Sequence, residues 1–177
     1  MNPLDLNRLN FRSPYMVWEN ERGLSFKTDH GIFYTAEFDR EISDFNVVAY
    51  WFNLTNNSSI SSPNDEKIRE TVVCIIEEFF RVNPDILLYI CDTANNQQAM
   101  RARLFLRWFN KFADSKEFVI KTAEVQSDEA IDYIALIIQK SHPSFDAIIA
   151  LFDSEITMFK TNKNPEDTLS TDSHIDA

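Results

Sequence analysis

Only two glycines occur among the 177 residues of this chain, and their positions constrain the fold more than any other feature. Gly23 follows Glu21-Arg22 and Gly31 follows Asp29-His30, in both cases between short runs rich in aromatic and β-branched residues. Such runs favour strands, and a glycine supplies the unusual backbone angle that a tight hairpin turn needs. Two hairpin turns therefore account for both glycines. Glycine-rich loops that hold phosphate groups need several such residues, so Walker and Rossmann sites are excluded.

The first third of the chain predicts an antiparallel β-meander of four strands. The predicted strands are Tyr15 to Asn20, Leu24 to Asp29, Ile32 to Phe38 and Phe45 to Leu54. In the last strand apolar residues fall on both faces, with Val47, Ala49 and Trp51 on one face and Tyr50 and Phe52 on the other. Either helices cover both faces, or one face meets another protein. We favour core packing on both faces.

The rest of the chain predicts helices that alternate with strands. A helix is predicted between the start signal Ser62-Pro63-Asn64-Asp65 and the stop at Asn83-Pro84, because apolar residues recur there every three or four positions. Residues 131–139 suit either a strand or a capped helix, and we predict a strand. The other predicted elements are a buried strand at Ile86 to Ile90, a helix at Gln97 to Phe112, a strand at Phe118 to Val125 and a last amphipathic helix that begins at Ser144.

These elements predict a single α+β domain over residues 15–160, in a chain whose 44% of hydrophobic residues suffices for one core. Its order is an N-terminal antiparallel β-meander followed by α-β-α-β-β-α, with a mixed sheet packed against helices. Residues 1–14 are predicted to form an N-terminal extension. Residues 161–177 are polar and acidic and are predicted to be a disordered tail.

The charge of the chain limits its partners. The sequence has 17 basic and 28 acidic residues, a formal net charge of −11 that repels phosphate backbones and anionic membranes. We therefore expect neither nucleic acid nor a membrane as a partner, and the remaining classes are a basic protein or self-association. The same charge would also serve solubility alone. The N-terminus has no signal-peptide pattern, so a cytoplasmic location is expected.

Familiar catalytic and metal-binding patterns are missing. Cys74 and Cys91 lie in apolar runs and the histidines are scattered, so we expect no metal and no cofactor. A cysteine phosphatase loop would need arginine where Gln97 stands, and no serine elbow occurs, so no catalytic residue is predicted. The adjacent acids Glu77 and Glu78 point in different directions on the predicted helix and are interpreted as solvated surface.

The candidate site lies where the apolar strand ends. Asp92, Thr93 and Asn95 follow that strand, and Arg101 falls within the apolar arc of the next predicted helix. A buried guanidinium needs a partner, and Asp92 is the nearest one in sequence, so we expect the two to meet. These residues could line a ligand cleft beyond the carboxyl end of the strand. Alternatively Asp92 and Asn95 are caps and Arg101 locks strand to helix, and we favour this structural alternative.

The stretch Asp65 to Phe112 resembles an uncharacterised family of bacterial proteins, known mainly from Bacteroidetes and classed as a domain of unknown function. The resemblance rests above all on Leu88-Tyr89-Ile90-Cys91-Asp92-Thr93, together with Arg101, Arg103-Leu104-Phe105 and Arg107-Trp108-Phe109. Its coverage extends from about Tyr15 to Phe159. The resemblance implies a bacterial cytosolic setting, and it implies no activity.

Two functional hypotheses follow. The leading one is a non-catalytic protein-interaction module that is the acidic partner of a basic protein, as antitoxins and immunity proteins are. The alternative is a pocket, ligand-binding or enzymatic, in which Arg101 holds a small anionic group beside Asp92.

Overall fold

The computed structural model describes residues 1–41, 47–58, 65–91, 117–126 and 131–161. Ten helices and strands lie in these ranges. In chain order they are α1 (Leu6–Arg12), β1 (Val17–Asn20), β2 (Gly23–Lys27), β3 (Phe33–Arg40), β4 (Ala49–Asn56), α2 (Glu66–Val82), β5 (Ile86–Cys91), β6 (Phe118–Gln126), β7 (Ile131–Gln139) and α3 (Phe145–Thr161).

All seven strands form one mixed sheet in the order β1-β2-β3-β4-β5-β7-β6. The first four strands are the predicted antiparallel meander, β5 runs parallel to β4, and β7 lies antiparallel to both β5 and β6. The predicted α+β class is therefore confirmed, as is the strand over residues 131–139. The helix predicted over 97–112 and the tail after residue 161 lie outside the described residues.

Helices pack on both faces of the sheet. The main core lies between α2 and the face that carries Phe26, Phe52 and Leu87, all of which are buried. A second, smaller core lies on the opposite face, where Ile148 of α3 packs near Ala49. Both faces of the first part of β4 are thus covered, as the sequence analysis favoured. Burial of apolar side chains on both sides is what holds this central strand in the sheet.

The two glycines serve the hairpins in different ways. Gly31 has a φ of +77° in the turn between β2 and β3, a left-handed angle that other residues adopt with strain. Gly23 begins β2, where a Cβ atom would lie 2.4 Å from the carbonyl oxygen of Ala36 on β3. Gly23 therefore permits close approach of two backbones as well as an unusual φ.

An N-terminal arm, residues 1–15, runs antiparallel along α2. Asn2 contacts the end of α2, where its backbone N–H donates to Asn83 Oδ1 at 2.7 Å. Tyr15 contacts the beginning of α2, because its backbone N–H donates to Thr71 Oγ1 at 3.3 Å and its hydroxyl reaches Asp65. Between them Leu9 of α1 is 2% exposed and belongs to the main core. Within residues 1–14, the predicted N-terminal extension, Leu9 thus belongs to the main core and Leu4 and Leu6 pack against it.

Glu78 of α2 fastens this arm, and the interpretation of Glu78 as solvated surface is wrong. Its side chain is only 4% exposed. Its carboxylate accepts hydrogen bonds from Arg81 at 2.9 and 2.5 Å and from the backbone N–H of Asp5 at 3.0 Å, and Arg8 lies at 3.4 Å. The hydrogen bonds from Arg81, supported by the Asp5 N–H and both cations, outweigh burial and lower the pKa of Glu78. The arm therefore buries the Glu78 carboxylate and supplies two of its partners, the Asp5 N–H and Arg8.

We predict that Glu78→Gln lowers the free energy of unfolding by about 1–3 kcal/mol, because a buried carboxylate with charged partners is replaced by a neutral amide. The folded-state pKa of Glu78 lies below its unfolded value. Its contribution is therefore present above the unfolded pKa and is lost as pH falls through the folded pKa, so the two proteins should converge in acid. Urea unfolding at about pH 7 and about pH 3 measures this difference.

Glu77→Gln is the matched control, since Glu77 is a neighbouring acid that pairs with Arg12 and is more exposed. It should cost under about 1 kcal/mol, as surface ion pairs do. If Glu77→Gln and Glu78→Gln lowered the free energy of unfolding equally, burial of Glu78 under the arm would add nothing to its contribution.

Candidate interaction surface

The four residues of the sequence-predicted site, Asp92, Thr93, Asn95 and Arg101, lie outside the described residues. The structure describes what precedes them: β5 ends at Cys91, beside the carboxyl end of β4, to which it runs parallel. The contact between Asp92 and Arg101 and any ligand-binding role of the four residues stay predictions.

The strand order bears on the expectation of a cleft at this place. Ligand crevices in open α/β sheets form where successive connections leave in opposite directions across the sheet. Here the chain passes from β4 to the adjacent β5 and then beyond β7 to β6, so both steps advance in the same direction. The described sheet thus lacks that kind of switch point at the end of β5.

The same edge of the sheet carries a cluster of polar side chains at the beginning of α2. The Tyr15 hydroxyl donates to Asp65 Oδ2 at 2.5 Å, and it accepts the backbone N–H of Asp29 at 3.3 Å. Lys67 Nζ donates to Asp29 Oδ2 at 2.6 Å. Asp65 also caps α2, because its other oxygen accepts the Lys67 N–H at 2.9 Å. These bonds join the start of β1, the turn after β2 and the start of α2.

Tyr15 has the properties of a structural group. Burial, and next the hydrogen bond to Asp65, raise the pKa of its phenol to about 12. The phenol is therefore protonated at neutral pH and both its donor and its acceptor are in use, so it offers no base to a substrate. We interpret the cluster of Tyr15, Asp29, Asp65 and Lys67 as a lock between sheet and helix.

We predict that Tyr15→Phe lowers the free energy of unfolding by about 1 kcal/mol, because Asp65 loses a donor and the Asp29 N–H loses its acceptor. The pKa of Tyr15 is higher in the folded state than in the unfolded state. The stabilisation by its hydroxyl is therefore fully present below the unfolded pKa near 10 and is lost as pH rises towards 12. The wild type should therefore lose its advantage over Tyr15→Phe across that alkaline range. A double-mutant cycle with Asp65→Asn, followed by urea unfolding, measures the coupling; no coupling would contradict the lock.

The outer side of the meander forms a polar surface. Side chains on this side of β1 to β4 face away from α2, and α3 packs farther along the same side of the sheet, against β6 and the smaller core. Within the described ranges no helix packs over it. We call this surface the meander face; its residues are Trp18, Asn20, Ser25, Lys27, Phe33, Thr35, Glu37, Asp39, Trp51, Asn53 and Thr55.

The centre of the meander face is polar. The Ser25 and Thr35 hydroxyls lie 3.0 Å apart, and both residues are buried. Amide groups cover them from either side, since Asn20 donates to Ser25 at 2.6 Å and Asn57 donates to Thr35 at 2.6 Å. Such a hydrogen-bonded row suits contact with water or a polar partner better than burial in an apolar core. The apolar outer face that Val47, Ala49 and Trp51 suggested is thus confined to the start of β4.

Carboxylates follow the end of β3 along this face. Glu37 forms an ion pair with Arg22 at 2.8 Å. Asp39 accepts a hydrogen bond from Asn53 at 3.0 Å, and Glu41, just after β3, accepts one from the indole N–H of Trp51. Among the residues that the structure describes, no cation forms an ion pair with Asp39 or Glu41. Within the described part of the chain, these two carboxylates therefore have neutral hydrogen-bond donors as their partners.

An exposed aromatic pair lies at the other end of the face. Trp18 and Phe33 meet edge to face, with ring centroids 6.5 Å apart, and they are 37% and 42% exposed. Lys27 Nζ lies 5.1 Å from the centre of the Phe33 ring, within the range of a cation–π contact. The pair therefore already accepts a cation from the chain itself.

Other kinds of site find little support in the described part of the chain. It contains no group of three or more His, Cys, Asp or Glu side chains that could hold a metal ion. Burial raises the pKa of the Cys74 thiol, which keeps it protonated and unreactive. A groove of about 130 Å³ beneath the N-terminal arm, lined in part by Leu4, Leu6 and Phe38, is smaller than the roughly 300–1,000 Å³ of typical ligand pockets. None of the described helices is long and apolar enough to cross a membrane.

The fold defines an α+β domain with a mixed seven-stranded sheet and helices on both of its faces. Residues 64–154, just over half of the chain, match a protein family described as "Family of unknown function (DUF6169)", and the chain belongs to that family. The match includes the stretch Asp65 to Phe112 on which the resemblance rests, and it begins after the meander. No curated protein and no solved structure matches the chain.

Proposed function

We propose that this chain is a non-catalytic interaction module of the bacterial cytoplasm that binds a basic protein, in the manner of an antitoxin or an immunity protein. The observation that carries the proposal is the meander face, a polar sheet surface on which Asp39 and Glu41 have no cationic partner among the described residues.

Electrostatics supports a basic partner. A formal charge of −11 attracts a cationic protein from a distance and speeds its encounter, while local pairs of opposite charge set the orientation of the complex. The attraction between exposed charges is screened over about 8–10 Å at physiological salt, so such a complex should weaken as salt is added. The same charge disfavours nucleic acid and anionic membranes as alternatives.

The chemistry of the described side chains supports a non-catalytic role. The groups whose pKa is displaced, among them Tyr15, Asp29 and Glu78, are engaged in bonds that hold helix, arm and sheet together. A displaced pKa marks a catalytic site when the group faces a cleft and remains free to exchange a proton. Here these groups have structural partners.

We predict that the full chain, immobilised and exposed to lysate of its native bacterium at low salt, retains one basic protein that high salt releases. Mass spectrometry identifies the retained protein. The purified pair should then bind with saturable stoichiometry and an affinity that falls with salt concentration. An unrelated acidic protein of similar size and charge is the control for simple ion exchange. A monomeric chain that retains nothing beyond this control would contradict the proposal.

The alternative, an anion-binding or enzymatic pocket around Asp92 and Arg101, is separated from the interaction module by Arg101→Ala. If Arg101 is a structural lock, this variant should lose stability in thermal unfolding, because Asp92 would keep a buried charge without its partner. If Arg101 binds a ligand, the variant should stay folded and lose the thermal stabilisation that an anionic compound gives the wild type. A folded variant with unchanged ligand response would contradict both roles.

A further inference from the structure

We propose that the meander face is the surface on which the basic partner docks, and that the partner presents arginine or lysine side chains to two places on it: the carboxylates of Asp39 and Glu41, and the aromatic pair of Trp18 and Phe33. This inference rests on the proposed function and assigns it to one surface.

Register places both groups on one side of the sheet. Asp39 of β3 lies opposite Trp51 of β4, and Phe33, six residues earlier on β3, lies opposite Lys27 of β2. Residues that differ by an even number along a strand face the same side, and six residues of strand span about 20 Å. One extended cationic segment of a partner could therefore contact the carboxylates and the aromatic pair together.

The two groups recognise the same chemistry. The carboxylates of Asp39 and Glu41 accept hydrogen bonds from neutral donors, and the fork of an arginine matches a carboxylate in two-point hydrogen bonds. Aromatic rings attract the same cations over their faces. At Phe33 the ring is already contacted by Lys27 of the chain itself, at 5.1 Å, so a partner's cation would have to displace Lys27 there.

The rest of the face is suited to reversible contact. Ser25 and Thr35 are buried, bond to each other and accept hydrogen bonds from Asn20 and Asn57, so a partner that covers them need not replace those bonds. A purely apolar partner would instead strip water from Asn53, Asp39 and their neighbours without replacing the lost bonds. The face therefore favours a polar, cationic occupant over a second copy of this acidic chain.

Binding of a labelled nona-arginine peptide to the full chain at low salt tests the location. The double variant Asp39→Asn with Glu41→Gln removes two negative charges and keeps oxygens that can accept the hydrogen bonds of Asn53 and Trp51. The control Glu66→Gln with Glu70→Gln removes two negative charges from exposed positions on α2. We expect the first variant to bind about three- to tenfold more weakly than the control, because only it removes contacted charges. Equal affinities would overturn the inference.

A second measurement needs no change of charge. Trp51 donates its indole N–H to Glu41, and Trp18 belongs to the aromatic pair, so both indole signals in a nitrogen–proton spectrum report on this face. Single Trp→Phe variants assign the signals. We expect both signals to shift on titration with the peptide. Unshifted signals at saturation would overturn the inference, as would shifts that appear with protein concentration alone, which would assign the face to self-association.

These results are separate from the test of the interaction module itself. A basic partner that is retained from lysate and binds the Asp39/Glu41 variant as tightly as the Glu66/Glu70 control would overturn the meander face as the docking surface and leave the module in place.

Discussion

The packing of α2 against one face of the sheet is the contact on which the rest of the structure depends. Phe79 lies at its centre, stacked on Phe38 of β3 with ring centroids 4.7 Å apart and edge to face with Tyr50 of β4 at 5.5 Å. Complete burial of one such side chain contributes about 1.5–3 kcal/mol. The N-terminal arm then fastens to α2 at Asn83, Glu78 and Asp65, so this helix is held by the sheet and by the arm.

The described helices cover one face of the sheet more completely than the other. α2 covers the inner side, and α3 covers the outer side of β5, β7 and β6 through the smaller core. The meander keeps an outer side on which hydroxyls, amides and carboxylates alternate with the buried apolar residues of the inner side. A domain can leave such a face in water because its amphipathic strands need only one apolar side. The exposed pair Trp18 and Phe33 and the carboxylates of Asp39 and Glu41 are the observations from which we propose this face as a docking surface.

Local sequence patterns were sufficient to predict most helices and strands, but they did not predict the contacts between those elements. Apolar periodicity predicted α2, and a continuous apolar run predicted β5, since both signals lie within a few residues. The arm was missed because Leu4, Leu6 and Leu9 are too few to show a period, and because Glu78 becomes buried only when Asp5 and Arg8 cover it. The meander face was missed because it depends on register between strands. Alternation of Thr35, Glu37 and Asp39 with Tyr34, Ala36 and Phe38 was the signal that could have indicated it. The site predicted at Asp92 and Arg101 stays a prediction.

The central claim is that Asp39 and Glu41 meet a basic partner, and carboxyl labelling by carbodiimide, with and without the basic protein captured from lysate, tests it most directly. In the free chain the exposed Asp39 and the partly exposed Glu41 should be labelled, whereas the buried Glu78 should not. Our account predicts that the complex protects Asp39 and Glu41 and leaves Glu66 and Glu70 on α2 as reactive as before. Protection of Glu66 and Glu70, with Asp39 and Glu41 still labelled in the complex, would contradict it.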